Sequence, residues 1–182
     1  PTQKAIHDVV LNAQKIAIEH VVPGRRFGDV HLAAARAIAS GLSELGILKG
    51  SPDELVENDA YALFFPHGIG HLLGLDVHDM EDLGDKPGYP KGCERSERFG
   101  LCYLRLDRVL EPGMVVTIEP GFYQVPSILQ NAERLIGIKA PVDYTVLSQF
   151  ADVRGIRIED DILVTEKGSE NLTGTLQYEL DT

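Results

Sequence analysis

The segment Phe65-Pro66-His67-Gly68-Ile69-Gly70-His71-Leu72-Leu73-Gly74-Leu75-Asp76-Val77-His78-Asp79 places His67, His71 and His78 within 12 residues. Imidazoles at that density suit metal binding or proton transfer near neutral pH. His67 and His71 are four apart, the spacing that shares one face of a zinc-protease helix. Two features argue against a helix: no Glu follows His67, and Gly68 and Gly70 would each cost about 1 kcal/mol in a helix interior. The glycines suit a tight, irregular path close to a site instead. The plainer alternative is three hydrogen-bonded core or surface histidines.

A second feature is Thr117-Ile118-Glu119-Pro120-Gly121, an apolar strand ending in a carboxylate beside a turn. An ionised Glu is expensive to bury unless it is paired or coordinates a metal. A solvated Glu119 at a strand end is the alternative. The third feature is Ile156-Arg157-Ile158-Glu159-Asp160-Asp161-Ile162. In a strand, Arg157 and Glu159 point to one side, so the guanidinium can hold the carboxylate in one orientation. A solvent-facing salt bridge, worth under about 1 kcal/mol, is the plainer reading. One His and two Glu from three separate segments form a donor set that suits Mn²⁺, Zn²⁺, Co²⁺ or Fe²⁺. Neither Cys93 nor Cys102 has ligand-like spacing, which argues against a thiolate zinc site.

The elements that must position these residues fall into two groups. Ile6, Val9, Val10, Ala13, Ile16 and Ala17 recur at helical spacing, with Lys4, Asp8, Gln14, Lys15 and Glu19 between them. Val22-Pro23-Gly24 reads as a turn. A second helix is expected from Phe27 or Asp29 to Leu45, with Gly46 as its C-terminal cap. Ser51-Pro52-Asp53-Glu54 is a capping box, and a short helix should follow to Asn58 or Asp59. From Tyr61 onward the segments are short, β-rich and broken by Gly and Pro. Ala60–Phe65 reads as a strand, Gly84–Gly100 as a long loop, and Met114–Ile118 as a buried strand. Residues 123–152 read as loop-rich. Gly155–Thr165 alternates as one strand, with Ile156, Ile158, Asp160 and Ile162 on one face.

Composition limits the function classes. The 182 residues carry 17 Lys and Arg against 28 Asp and Glu, a net charge of −11, with no basic stripe. That argues against nucleic acid or an anionic membrane as partner. Hydrophobic residues make up 43%, enough for a core. No apolar run approaches the ~18 residues that span a bilayer, and the N-terminus lacks a secretory pattern. Two cysteines are too few for a disulfide framework and fit a reducing, cytoplasmic location.

Taken in order, His-Gly-Ile-Gly-His-x-x-Gly-Leu-Asp-Val-His-Asp, Leu-Glu-Pro-Gly-Met-Val-Val-Thr-Ile-Glu-Pro-Gly-Phe-Tyr and Gly-Ile-Arg-Ile-Glu-Asp-Asp-Ile-Leu-Val-Thr resemble the catalytic domain of Xaa-Pro aminopeptidases and Xaa-Pro dipeptidases (prolidases). Pro-Gly-Arg-Arg-Phe-Gly-Asp-Val before the second helix extends the likeness over nearly the whole chain. The resemblance implies an α+β pita-bread fold, shared with methionine aminopeptidase and creatinase, with helices first and then a curved, mainly antiparallel sheet. It implies metal-ligand roles for His71, Glu119 and Glu159, with Glu159 bridging two ions. His78 would contact the substrate near the scissile bond, His67 would line the site, and Glu119 could also act as general base. Arg157 would orient the bridging carboxylate, Tyr123 would support the ligands, and Arg105 would grip a substrate carboxylate. The implied cofactors are two divalent ions, manganese by family default, with zinc or cobalt as alternatives. The implied partners are proline-containing peptides and, for the full-length protein, further copies of itself.

The family has two further Asp ligands on a hairpin that precedes these helices. Before His67 the chain has only Asp8, Asp29, Asp53 and Asp59, none in that context. The expectation is therefore a single C-terminal catalytic fragment, residues 1–182, without the family's N-terminal domain or first metal-binding hairpin. Such a fragment is expected to bind metal weakly or not at all. Three other readings compete with the aminopeptidase: a dipeptidase, a creatinase-like hydrolase of non-peptide C–N bonds, and a metal-free protein-binding module. Retention of His71, Glu119 and Glu159 counts against the last.

Overall fold

The computed structural model describes residues 1–131, 135, 138 and 142–176. The loop-rich reading of 123–152 lies partly outside these residues.

Two long helices come first, α1 (Thr2–His20) and α2 (Phe27–Glu44). They pack side by side, burying the expected Ile6, Val10, Ala13 and Ala17 against Val30, Ala34, Ile38 and Leu42. Helix α2 ends in a two-bond cap: Ile47 N–H donates to Leu42 O at 2.9 Å and Gly46 N–H to Ser43 O at 2.9 Å, with Gly46 at φ +75°. The capping box of α3 (Pro52–Glu57) forms as expected, Ser51 N–H donating to Glu54 Oε2 at 3.0 Å and Glu54 N–H to Ser51 Oγ at 3.4 Å.

Ala60–Phe65 is not a strand. It opens with a 3₁₀ turn over Ala60–Leu63, entered from Asp59 in the left-handed region at φ 56°. Phe64 and Phe65 N–H groups both donate to Tyr61 O at 3.0 Å. The whole run is fully buried beneath the helices. A short buried apolar segment has no period that separates strand from turn, so tertiary packing decides its form.

The described residues of the second half form two antiparallel sheets. β1 (Val115–Ile118), β4 (Asp160–Thr165) and β5 (Gly168–Asn171) make one, in the order β1-β4-β5. β2 (Gly121–Tyr123) and β3 (Gly155–Arg157) make the other. The expected single strand over Gly155–Thr165 therefore splits at Ile158-Glu159, because its two halves pair with two different partners on either side of Pro120. Its alternation survives: Ile158, Asp160, Ile162 and Val164 are buried. Among the described residues, the short helices α4 (Pro126–Leu129) and α5 (Tyr144–Leu147) lie between β2 and β3 in sequence.

Helix α1 lies against β1, β2 and β3. Gln14, which the periodicity puts among polar spacers, is buried there and donates to Asp160 Oδ2 at 2.9 Å. Thr173 donates to the other Asp160 oxygen at 2.5 Å, so one buried carboxylate ties α1 to β4. In the loop after His78, Cys93 is exposed, while Cys102 is partly covered and directs its S–H at Phe99 O, 3.4 Å away. No described helix is long and apolar enough to cross a membrane.

Candidate functional site

The three histidines sit on irregular backbone, as the glycines predict. Residues Ile69–Leu73 run antiparallel beside β1 as a further, imperfect edge of its sheet. Glu119 N–H donates to Ile69 O at 2.7 Å, Thr117 N–H to His71 O at 3.0 Å, and Leu73 N–H to Val115 O at 2.9 Å. Gly70 permits this approach, because a Cβ there would collide with the Thr117 carbonyl. This pairing carries His71 across to Glu119.

His71 and Glu119 are both buried, and His71 Nε2 lies 3.4 Å from Glu119 Oε1. His71 Nδ1 is 2.9 Å from Leu72 O. A carbonyl only accepts, so Nδ1 carries a proton, and Nε2 is the nitrogen that faces the carboxylate. The Thr117 hydroxyl accepts from His71 N–H at 3.1 Å and donates to Glu119 Oε1 at 3.2 Å. Burial holds the Glu119 carboxyl above the ordinary range; the nearby Glu159 charge adds to this, and His71, Arg157 and Thr117 oppose it. Glu119 is thus not the solvated strand end that its position allows.

Arg157 Nη1 donates to Glu119 Oε2 at 3.0 Å, and its Nε lies 3.7 Å from Glu159 Oε2. Arg157 and Glu159 do share a side, but the guanidinium holds Glu119 more closely than Glu159. Arg157 also hydrogen-bonds Tyr123, whose hydroxyl is raised in pKa by burial. Tyr123 Oη is 3.1 Å from His67 Nε2, and His67 Nδ1 is 2.8 Å from Gly68 O. Nδ1 again carries the proton, so the Tyr123 hydroxyl donates to Nε2. Burial lowers the His67 pKa, and the Arg157 and Arg105 charges add to that. His67 is therefore a neutral imidazole at pH 7.

His78 packs edge-on to His71, ring centroids 4.4 Å apart. Its Nδ1 lies 3.8 Å from Glu81 Oε2, which also accepts from Arg105 Nη1 at 2.7 Å. All the sequence-selected residues thus join one chain of contacts, running from Arg105 through Glu81, His78, His71, Glu119 and Arg157 to Glu159, Tyr123 and His67. Sequence reading missed two members. Thr117 sits two residues before Glu119, the spacing of same-face strand neighbours, and Glu81 follows His78 by three.

Donor chemistry fits a divalent cation: His71 Nε2 and the Glu119 carboxylate converge, and Glu159 is near enough for its charge to act on Glu119. Among the described residues, no group of three or more His, Cys, Asp or Glu comes together closely enough to hold a metal ion. The donors present are therefore a partial set.

Residues 1–166 match the sequence profile of metallopeptidase family M24. An Xaa-Pro dipeptidase of Rattus norvegicus is 41% identical over 171 residues, covering 94% of this chain and 34% of that protein. Proline aminopeptidase P II from Yersinia pestis superposes with a TM-score of 0.71 at 37% identity, covering 98% of this chain and 33% of that one. Zinc-substituted aminopeptidase P of E. coli, solved with product, gives a TM-score of 0.69 at 38% identity, covering 98% and 32%. The chain spans about a third of the length of these relatives. Its helices followed by small antiparallel sheets have the pita-bread architecture of the aminopeptidase P structures. By the match over 166 of its 182 residues, the chain belongs to metallopeptidase family M24.

Proposed function

We propose that this chain provides the His/Glu ligands and the substrate-facing loop of an Xaa-Pro aminopeptidase. The observation that carries the reading is the meeting of His71 Nε2 with the buried Glu119, 3.4 Å apart, under the Arg157 guanidinium. His71, Glu119 and Glu159 would hold divalent metal, with manganese as the proposed ion, and the metal would supply an activated water and a Lewis acid. Glu119 can accept a proton and return it, since burial has already raised its pKa. An Xaa-Pro bond is a tertiary amide, so its leaving nitrogen must receive a proton. The Tyr123–His67 pair keeps a hydroxyl and a neutral imidazole in contact beside the site.

A dipeptidase is the second reading, favoured by one observation. Arg105 lines a cavity of about 460 Å³ together with His67, where its guanidinium could hold the free carboxylate of a short substrate. The natural full-length protein, supplied with manganese, is expected to hydrolyse Xaa-Pro bonds in dipeptides, longer peptides or both. Glu119→Gln should lower kcat by about 10²–10⁴-fold. Failure of the wild type to cleave either substrate length would overturn the peptidase reading.

A further inference from the structure

The loop after His78 brings a carboxylate to Arg105 from within the protein. Glu81 Oε2 accepts from Arg105 Nη1 at 2.7 Å and lies 3.8 Å from His78 Nδ1. The contact is end-on. Glu81 Oε1 is buried with no hydrogen-bond partner among the described residues, whereas a structural Arg–carboxylate pair commonly engages both oxygens. Among the described residues Arg105 makes no hydrogen bond besides that to Glu81, and its side chain is 43% exposed. Glu81 and Arg105 both line the 460 Å³ cavity with His67 and Tyr103, and both line a small cleft against His71. They form the wall between the buried donors and open space.

The backbone fixes Glu81 at that wall. Met80, just before it, has φ 60°, one of two non-glycine residues in the left-handed region among those described. Methionine gains nothing from that conformation, so the surrounding loop imposes it. Gly84, at φ +76°, ends the same turn.

We propose that Glu81 is a specificity-determining residue that occupies the carboxylate seat on Arg105 and gives it up only to a ligand's own free carboxylate. The proposal rests on the peptidase reading, in which Arg105 faces the substrate. It differs from that reading in assigning the selection to an exchange between two carboxylates. A ligand ending in an amide cannot make the exchange and gains nothing from Arg105. Because the Glu81–Arg105 pair is partly exposed, its net worth is small, and the exchange is readily reversible.

Calorimetric titration of the metal-free protein with Ala-Pro and with Ala-Pro-amide tests this. Glu81→Gln should bind Ala-Pro about threefold more tightly and the amide unchanged. Arg105→Gln should erase the preference for the free carboxylate, and adding Glu81→Gln to it should change nothing further. Three results overturn the proposal: an unchanged ratio between the two probes in Glu81→Gln, an equal shift of both, or no binding of Ala-Pro by wild type and variant. Hydrolysis by the wild type, scored separately, decides the peptidase reading, so the two failures are distinguishable.

Discussion

The Thr117 hydroxyl accepts from the His71 backbone and donates to Glu119, 3.1 and 3.2 Å away, so one uncharged group sets the spacing of two donors. It is almost fully buried. Thr117→Val keeps the shape and removes both bonds, leaving a buried N–H unpaired and a buried carboxylate oxygen short of one partner. That should destabilise the protein by about 1–3 kcal/mol in urea unfolding, while Thr117→Ser should recover most of the loss. Equal stability of the Val variant and wild type would show that the bridge is not needed. Thr117 escaped sequence reading because hydroxyls are common in strands. Only the arrival of residues 69–73 beside β1 makes this one special.

At the scale of elements, α2 is fastened to the site's outer loop by a buried histidine. His31 Nε2 lies 3.0 Å from both Tyr61 Oη and Gly100 O, and its ring packs on Phe65 at 5.4 Å. Complete burial lowers its pKa to about 4 from an ordinary 6.5. The folded-state pKa is depressed for a base, so the unfolded chain takes up a proton first as pH falls. His31 therefore leaves stability intact above pH 6.5 and withdraws up to about 3 kcal/mol between pH 6.5 and 4. Denaturant unfolding across that window should show the decline, and His31→Gln, which cannot titrate, should lose that part of it. Helices α1 and α2 were legible because their apolar period repeats over four or more turns and their ends carry turn or capping residues. β1 and β4 were legible from their apolar run and alternation. The 3₁₀ turn at Ala60–Leu63, the break at Ile158-Glu159 and the burial of Gln14 were not, because each depends on a partner distant in sequence. The same holds within the site. Residue types nominated His71, Glu119 and Glu159, but their contacts, including the preference of Arg157 for Glu119, follow from sheet pairing.

For the molecule as a whole, the donors among the described residues do not add up to a dinuclear centre. His71 and Glu119 meet, Glu159 contacts Arg157 at 3.7 Å, and no described group of three closes around an ion. These 182 residues alone should therefore retain fewer than two tightly bound ions per chain after dialysis against manganese, as counted by metal analysis. Two retained ions would contradict this. The site is also built from unlike halves. His67, His71, Glu119 and Tyr123 rest on a continuous core in which Phe64 and Phe122 stack at 5.3 Å, whereas Glu81, Arg95 and Arg105 belong to a long, exposed loop. The loop carries its own chemical handle. Cys93 is exposed two residues from Arg95, and Cys102 is partly covered by its contact with Phe99. A thiol-specific fluorophore added in short supply reaches Cys93 first. The unmodified sequence can thus carry an optical reporter on the loop side of the site, with no cysteine introduced and no buried residue disturbed.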